Sequence, residues 1–418
     1  MYVFKVNGVE HQEERDRNLL EYLRKELQIT SAKEGCGEGA CGTCMVLVDG
    51  KKHRACLLKL SQLDGKEVIT VEGLSEREKQ VYTWAFASTG AVQCGFCIPG
   101  MVISAKALLD QNLNPTRKDI KEAIRGNICR CTGYVKIEDA IEKAAWAFRE
   151  NYVPVEEDRA WKVGEAMPRV DAKDKVLGVA KFVDDLSLPG MLYGAVLRSP
   201  VPRGLVKKID VSEAKAMEGV EAVITWRDIP GKRIVGHLVQ DWPVLVAEGE
   251  ETRYVGDALA LVAARDVHIA REAVKRIKVD IEELKPLLTP EEALAPDAPK
   301  IHPWGNKVEV KTHVKRGDVD EALAKSAHVV TRVYKTQRVD HAFMEPESAL
   351  AEVVDDGIVV YTGGQGVYDE NRQISAMLGI PAEKVRCITA MVGGGFGGKE
   401  DMSVQHHAAL MAWITKKP

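Results

Sequence analysis

Gly35-Cys36-Gly37-Glu38-Gly39-Ala40-Cys41-Gly42-Thr43-Cys44 is the stretch on which the reading of this 418-residue chain turns. It sets three cysteines at C-x4-C-x2-C, and Cys56 follows after eleven further residues. This is the plant-type spacing of four thiolates around a two-iron, two-sulfur cluster. Thiolates this close in sequence can wrap one cluster only if the backbone curls tightly. Gly35, Gly37, Gly39 and Gly42 supply the curl, because glycine admits positive φ and lets amide N–H groups turn toward sulfide. Tetrahedral zinc also takes four thiolates, but its sites favour paired C-x2-C spacings, so the glycine-rich four-residue gap argues against it.

Around this loop, Asn7-Gly8 and Asp49-Gly50 each follow a strand pattern, Tyr2 to Val6 and Met45 to Val48, and read as hairpin turns. Leu19, Leu20 and Leu23 stand at helical spacing between them, so residues 1–75 read as a small α+β domain. From 76 to 152 the period becomes helical, with helices expected near 79–89, 98–110, 117–125 and 137–149. Thr116 and Asp119 make a capping box, and Gly126 stands where that helix would be capped. A second fourfold set, Cys94, Cys97, Cys129 and Cys131, falls in the turns of this bundle. Its spacing alone fits a redox C-x-x-C, a zinc site or a second cluster. The position directly after a plant-type site favours a relay of two clusters. Trp84, Phe86, Trp146 and Phe148 read as core, and Cys387 as a buried strand residue.

Residues 153–166, with Pro154 and the acidic Glu156-Glu157-Asp158, read as a solvated linker. Beyond it strands are expected at 193–197, 222–225 and 258–263, and a helix from His268 to Ile277. This gives a mixed α/β unit over 167–290 and, past a proline-rich boundary, another over 300–418. Apolar residues are 45%, charged residues 29% and the net charge is -4, an ordinary globular balance without the basic excess of a nucleic-acid binder. No stretch resembles a membrane span or a secretory leader, and fourfold cysteine sets in a reducing compartment point to metal, so the chain reads as cytoplasmic.

Near the end, Val392-Gly393-Gly394-Gly395-Phe396-Gly397-Gly398-Lys399-Glu400 fits G-x-x-x-x-G-K. A phosphate loop needs Ser or Thr after the lysine, and Glu400 would set a carboxylate against the phosphates, so that reading is dropped. Five glycines around one Phe are more than a turn requires and are expected to let the backbone approach a bulky ligand. Tyr361-Thr362-Gly363-Gly364-Gln365-Gly366 again ends a strand in glycines, with one amide able to donate and accept. His341, His406 and His407 lack the spacing of a zinc-hydrolase motif and read as structural, hydrogen-bonded residues. His341 to Glu347 is too polar for a core strand and is expected to line a site.

Gly35 to Cys44, Gln93 to Met101, and Gly126 to Tyr134 resemble the two iron–sulfur modules of the molybdenum hydroxylases, the xanthine dehydrogenase and aldehyde oxidoreductase family. Phe343-Met344-Glu345-Pro346, Gly363-Gly364-Gln365 and Gly393 to Glu400 resemble the start of that family's molybdenum subunit. The resemblance implies an α+β multidomain fold: a plant-ferredoxin-like β-grasp domain, a helical-bundle 2Fe-2S domain, then a hammerhead-like unit and mixed α/β molybdopterin-binding domains. It implies that Cys36, Cys41, Cys44 and Cys56 hold the outer cluster and that Cys94, Cys97, Cys129 and Cys131 hold the inner one. Gln93 and Cys131 would touch the pterin, and Gln365 an oxygen ligand of molybdenum. The backbone at Phe396 and Gly397 would meet the metal's coordination sphere, and Glu400 would bind a purine or similar N-heterocycle. No catalytic residue is expected in this chain, since the family's general base would lie beyond Pro418, so a partner carrying the rest of the molybdenum module is expected. The flavin domain of many members is missing after Tyr152, which implies FAD only on a separate subunit. An aldehyde or nicotinate substrate, and an electron-transfer subunit without its own catalysis, are the competing readings.

Overall fold

The computed structural model describes residues 1–155, 161–308 and 312–418; the acidic Glu156-Glu157-Asp158 expected in a linker lies outside the described residues. Both Asn-Gly and Asp-Gly signals make hairpins, Tyr2–Val6 with Val9–Glu13 and Met45–Val48 with Lys51–Arg54. The strand Glu67–Ile69 joins them, parallel to Tyr2–Val6 and antiparallel to Met45–Val48, giving a five-stranded sheet. Leu19, Leu20, Tyr22 and Leu23 pack on this sheet against Phe4, Val46 and Val68.

All four residues of Met45–Val48 are buried, because the strand serves two cores. Val46 and Val48 face the first unit, while Met45 and Leu47 pack into the helical unit beyond it. Side chains alternate across a strand, so one four-residue segment fastens both layers. The helices of that second unit are Glu76–Ser88, Ile98–Leu109, Arg117–Ile124 and Val135–Arg149. Glu76–Ser88 starts earlier than the sequence period implies because Ser75 and Glu78 form a capping box. Ile98–Leu109 runs through the centre, ten of its twelve residues buried. The expectation of an aromatic core holds for Phe86 but not for Trp146, which is 41% exposed and packs on Trp84 and Tyr152 at the surface.

A strap over 172–185 leads from the iron–sulfur half into two three-stranded sheets. In one, Ala258–Ala264 is buried along its whole length between Tyr193–Arg198 and Val220–Ile224. In the other, Gly204–Asp210 lies between Glu251–Thr252 and Lys278–Glu283. The last unit pairs Ala349–Val354 antiparallel with Gly357–Thr362, which runs parallel to Val385–Thr389 after the crossover helix Val367–Leu378. Parallel neighbours put their carboxyl ends side by side, where open α/β sheets bind ligands. The loops Gly363-Gly364-Gln365 and Gly393 to Glu400 follow those two strands. The helix Gln405–Thr415 closes the unit, and Cys387 is half-buried on its strand rather than fully so. Among the described residues no helix is long and apolar enough to cross a membrane.

Candidate cofactor sites

The Cys36–Cys44 loop follows the curl its glycines permit, with Gly37, Gly39 and Gly42 at φ of 67°, 81° and 72°. The amides of Ala40 and Cys41 donate to the Cys36 sulfur at 3.3 and 3.4 Å. Burial pushes the Cys36 thiol up, but backbone N–H groups of Cys41, Glu38 and Ala40 outweigh it and bring it to about 7. Burial drives Cys44 up to about 12, and Cys56 also rises through burial. In the second set, Cys97 caps the start of Ile98–Leu109, and Cys129 and Cys131 lie just before Val135–Arg149. Contact with Cys131 lowers Cys94, and contacts with Cys131 and Cys97 lower Cys129; Cys97 and Cys131 rise in turn through contact with Cys129.

Thiols that trade protons in this way become four thiolates together only beside concentrated positive charge, as a metal centre supplies. Among the described residues no three His, Cys, Asp or Glu side chains gather tightly enough to hold a single ion. The curled backbone donating to Cys36 in the first set, and the mutual contacts of the thiols in the second, place sulfurs where a shared metal centre can meet them. Each set therefore suits an iron–sulfur cluster.

The two sets are wired together. The Ile128 amide donates to the Cys41 carbonyl at 2.8 Å, and Asn127 Nδ2 donates to the Gly42 carbonyl at 2.9 Å. A Cβ on Gly42 would lie 2.1 Å from the Gly126 oxygen, so glycine is what lets the loops touch. Toward the last unit, Arg130, between two of the cysteines, donates from Nε to the His341 carbonyl at 3.1 Å. Phe96, Ala180 and Phe182 form an apolar plug with Cys94, Met344 and Met391. Gln93 is exposed, and its carbonyl accepts from Lys175 Nζ at 3.1 Å.

At the carboxyl ends of the parallel strands, Gln365 Oε1 accepts from the amides of Gly397 and Lys399 at 3.1 and 3.2 Å. Backbone N–H groups can meet only the oxygen of a carboxamide, so this fixes its orientation and turns Nε2 outward as a donor. A donor aimed from this loop suits the oxygen ligand that the sequence reading assigns to it. Phe396 is 51% exposed at φ 56°, and Gly397 faces open space at φ 88°. The glycines serve the chain's own side chains more than expected. Added Cβ atoms on Gly393, Gly395 and Gly398 would strike Glu345, Gln365 and His341 at 2.3, 2.3 and 2.8 Å.

Two buried polar groupings under these loops escaped the sequence reading. Lys399 Nζ donates to Glu345 Oε2 at 2.8 Å, each about 2% exposed or less, and that oxygen also accepts from the Gly393 amide at 2.6 Å. Lys399 is thus committed to a carboxylate and is not a phosphate ligand. Burial raises the Glu345 carboxyl although Lys399 opposes it. Nearby, Thr362 Oγ1 accepts from the Gly364 amide at 2.8 Å and meets Glu370 Oε1 at 3.1 Å and Gln405 Nε2 at 3.3 Å. Glu400 and His341 are both exposed. His406 and His407 are buried, but contrary to expectation neither Nδ1 atom has a partner among the described residues; His407 Nε2 meets the Val244 carbonyl at 3.1 Å. A cavity of about 780 Å³ lies elsewhere, between the first unit and Gln405–Thr415, and includes neither Gln365 nor Glu400.

Four family models match in order along the chain. They are a 2Fe-2S iron–sulfur cluster binding domain over 4–81, a [2Fe-2S] binding domain over 70–142, the a/b hammerhead domain of aldehyde oxidase and xanthine dehydrogenase over 177–285, and a molybdopterin cofactor-binding domain over 301–418. The nicotinate dehydrogenase small FeS subunit of Eubacterium barkeri is 46% identical over 132 residues, 31% of this chain and 84% of that subunit. The chain belongs to the molybdenum hydroxylase family. It carries two 2Fe-2S-binding domains and a molybdopterin-binding domain, and between the second and third models there is too little chain for a flavin domain. Over its whole length it is 34% identical to the aldehyde oxidoreductase of Megalodesulfovibrio gigas, spanning 48% of that protein. The solved aldehyde oxidoreductase of Desulfovibrio gigas superimposes with a TM-score of 0.90 at 33% identity, covering 99% of this chain and 48% of that one. The chain thus spans about half the length of these molybdenum hydroxylase relatives.

Proposed function

We propose that this chain is the iron–sulfur and partial molybdenum-cofactor portion of a hydroxylase that oxidises a purine or similar N-heterocycle. The groups held here would supply what side chains cannot, oxygen-atom and two-electron exchange with the substrate at molybdenum and onward transfer of single electrons through two-iron clusters. Cys36, Cys41, Cys44 and Cys56 would hold one cluster, and Cys94, Cys97, Cys129 and Cys131 the other. Gln93 and Cys131 would contact the pterin. Gln365 Nε2 would donate to an oxygen of the metal centre, and the backbone at Phe396 and Gly397 would border it. The Glu345–Lys399 pair keeps the glycine loop seated, and the apolar plug around Phe96 and Phe182 keeps water from the space between the inner cysteines and that loop. The Ile128–Cys41 hydrogen bond joins the two sets and would link the clusters they hold. The proton acceptor would come from the part of the assembly that this chain does not span, together with any FAD-bearing subunit.

The observation that carries the reading is the junction of the two cysteine sets through the Ile128 and Asn127 hydrogen bonds, with the second set continued to the molybdopterin-binding unit through Arg130 and the plug around Cys94. Glu400 carries the substrate class, since an exposed carboxylate at the end of the glycine loop can pair with ring N–H groups where an aldehyde offers little. In the assembled enzyme, Glu400→Gln is expected to lower kcat/KM for a purine about 10- to 100-fold while leaving aldehydes unaffected. Aldehyde oxidation is the second reading, favoured by the full-length match to an aldehyde oxidoreductase. Aldehyde turnover in the absence of heterocycle turnover would establish it instead.

A further inference from the structure

The two cysteine sets each carry a threonine hydroxyl on a sulfur, and the two hydroxyls are not equivalent. Thr132 Oγ1 lies 3.2 Å from Cys129 Sγ as donor and accepts from the Tyr134 amide at 3.2 Å. Its acceptor side is satisfied by that amide, so its single proton is directed at sulfur. The turn is built for this contact. Gly133 and Tyr134 take consecutive positive φ values of 68° and 72°, and the Tyr134 hydroxyl returns to accept from the Cys129 amide at 2.9 Å. A tyrosine in the left-handed region is strained and persists only where its surroundings over-determine it. Here the ring packs on the helical core while both ends of Cys129 are tied to the turn.

Thr43 sits at the same distance, 3.2 Å, from Cys41 Sγ, but its hydroxyl donates to the Lys33 carbonyl at 2.9 Å. A hydroxyl has one proton, and Thr43 gives its proton to the Lys33 carbonyl, which leaves the Cys41 contact without a directed one. Cys41 and Cys129 are also the two cysteines joined through the Ile128 amide. One face of this junction therefore has a directed hydroxyl proton on its sulfur and the other does not.

We propose that Thr132 sets the reduction potential of the cluster held by Cys94, Cys97, Cys129 and Cys131, raising it above the value those cysteines alone would give, and that Thr43 exerts no such effect on the other cluster. This rests on the reading that the eight cysteines hold two clusters. Reduction adds negative charge that spreads onto the ligand sulfurs, so a donor to Cys129 Sγ stabilises the reduced form more than the oxidised one. Thr132 is a tuning residue acting through its cysteine, not a catalytic one.

The full chain carries all eight cysteines, so the test needs no partner and no molybdenum. The iron-loaded chain is titrated anaerobically with dithionite, and the two paramagnetic resonance signals are followed separately. Thr132→Val is expected to lower the one-electron reduction constant of one signal about tenfold, a fall of about 59 mV, and to leave the other in place. Thr132→Ser, which keeps the hydroxyl, should restore the native value, and Thr43→Val should move neither signal. Should T132V fail to retain its cluster, the native chain still decides. An exchangeable proton that is coupled to one reduced cluster and is not bonded to nitrogen, as a hydroxyl proton is not, should vanish in deuterium oxide, and it should survive in T43V. Two unshifted potentials in T132V, an equal shift of both, or no such proton would overturn the proposal while leaving the cluster reading intact. A chain that takes up no iron would overturn both.

Discussion

Gly42 shows what a single missing side chain can do. Its φ of 72° already favours glycine, and a Cβ would lie 2.1 Å from the Gly126 oxygen, a backbone atom that cannot swing aside. Gly65 has the same φ with nothing within 4 Å. Gly65→Ala is therefore expected to cost only about 1 kcal/mol, the backbone term alone. Gly42→Ala should cost about 3 kcal/mol, backbone plus overpacking, and should loosen the Ile128–Cys41 contact. Denaturant midpoints of the two anaerobic holoproteins check this, and equal costs would refute the contact argument. At this scale the cysteines were legible because their ligand spacing is written locally. Lys399 was not, because its partner Glu345 lies 54 residues away and only the fold brings the charges together.

Among the elements, the helix Gln405–Thr415 carries a pH dependence. Its His406 and His407 rings lie 3.9 Å apart in the core, and burial, aided by the Arg198 charge, holds His407 at about 4 against an ordinary value near 6.5. A folded-state value below the unfolded one adds stability that is present above about pH 6.5 and is lost as pH falls through about 4. The loss is expected to reach about 3 kcal/mol. His407→Gln, whose amide can reach the Nε2 position and keep a donor for the Val244 carbonyl, should show a shallower fall in thermal stability from pH 7 to 4.5; parallel curves would contradict it. Elements with strong local signals were readable from sequence, among them the two hairpins and the helices Ile98–Leu109 and Arg117–Ile124. Gly204–Asp210 and Lys278–Glu283 were missed because Lys207-Lys208 and Glu282-Glu283 interrupt their apolar alternation. Tertiary pairing, not local propensity, makes them strands.

Over the whole molecule, the strap 172–185 is what clamps the iron–sulfur half to the rest. Lys33 Nζ meets Asp185 Oδ2 at 2.5 Å with both side chains about 1% exposed, Arg24 adds a bond to Asp185 at 2.9 Å, and Lys181 reaches Thr30. Lys33→Ala leaves Asp185 to Arg24 and the Phe182 amide, so it is expected to cost about 1–3 kcal/mol, the loss of a hydrogen bond to a charged group. Hydrogen exchange should rise across 172–185 while the sheet around Phe4 and Val68 stays protected; unchanged exchange in the strap would remove its clamping role. Finally, the strand Met45–Val48, with alternate side chains in two cores, leaves neither iron–sulfur layer able to melt alone. The amino-terminal half should behave as one foldon, giving a single calorimetric transition and losing both paramagnetic signals at the same temperature.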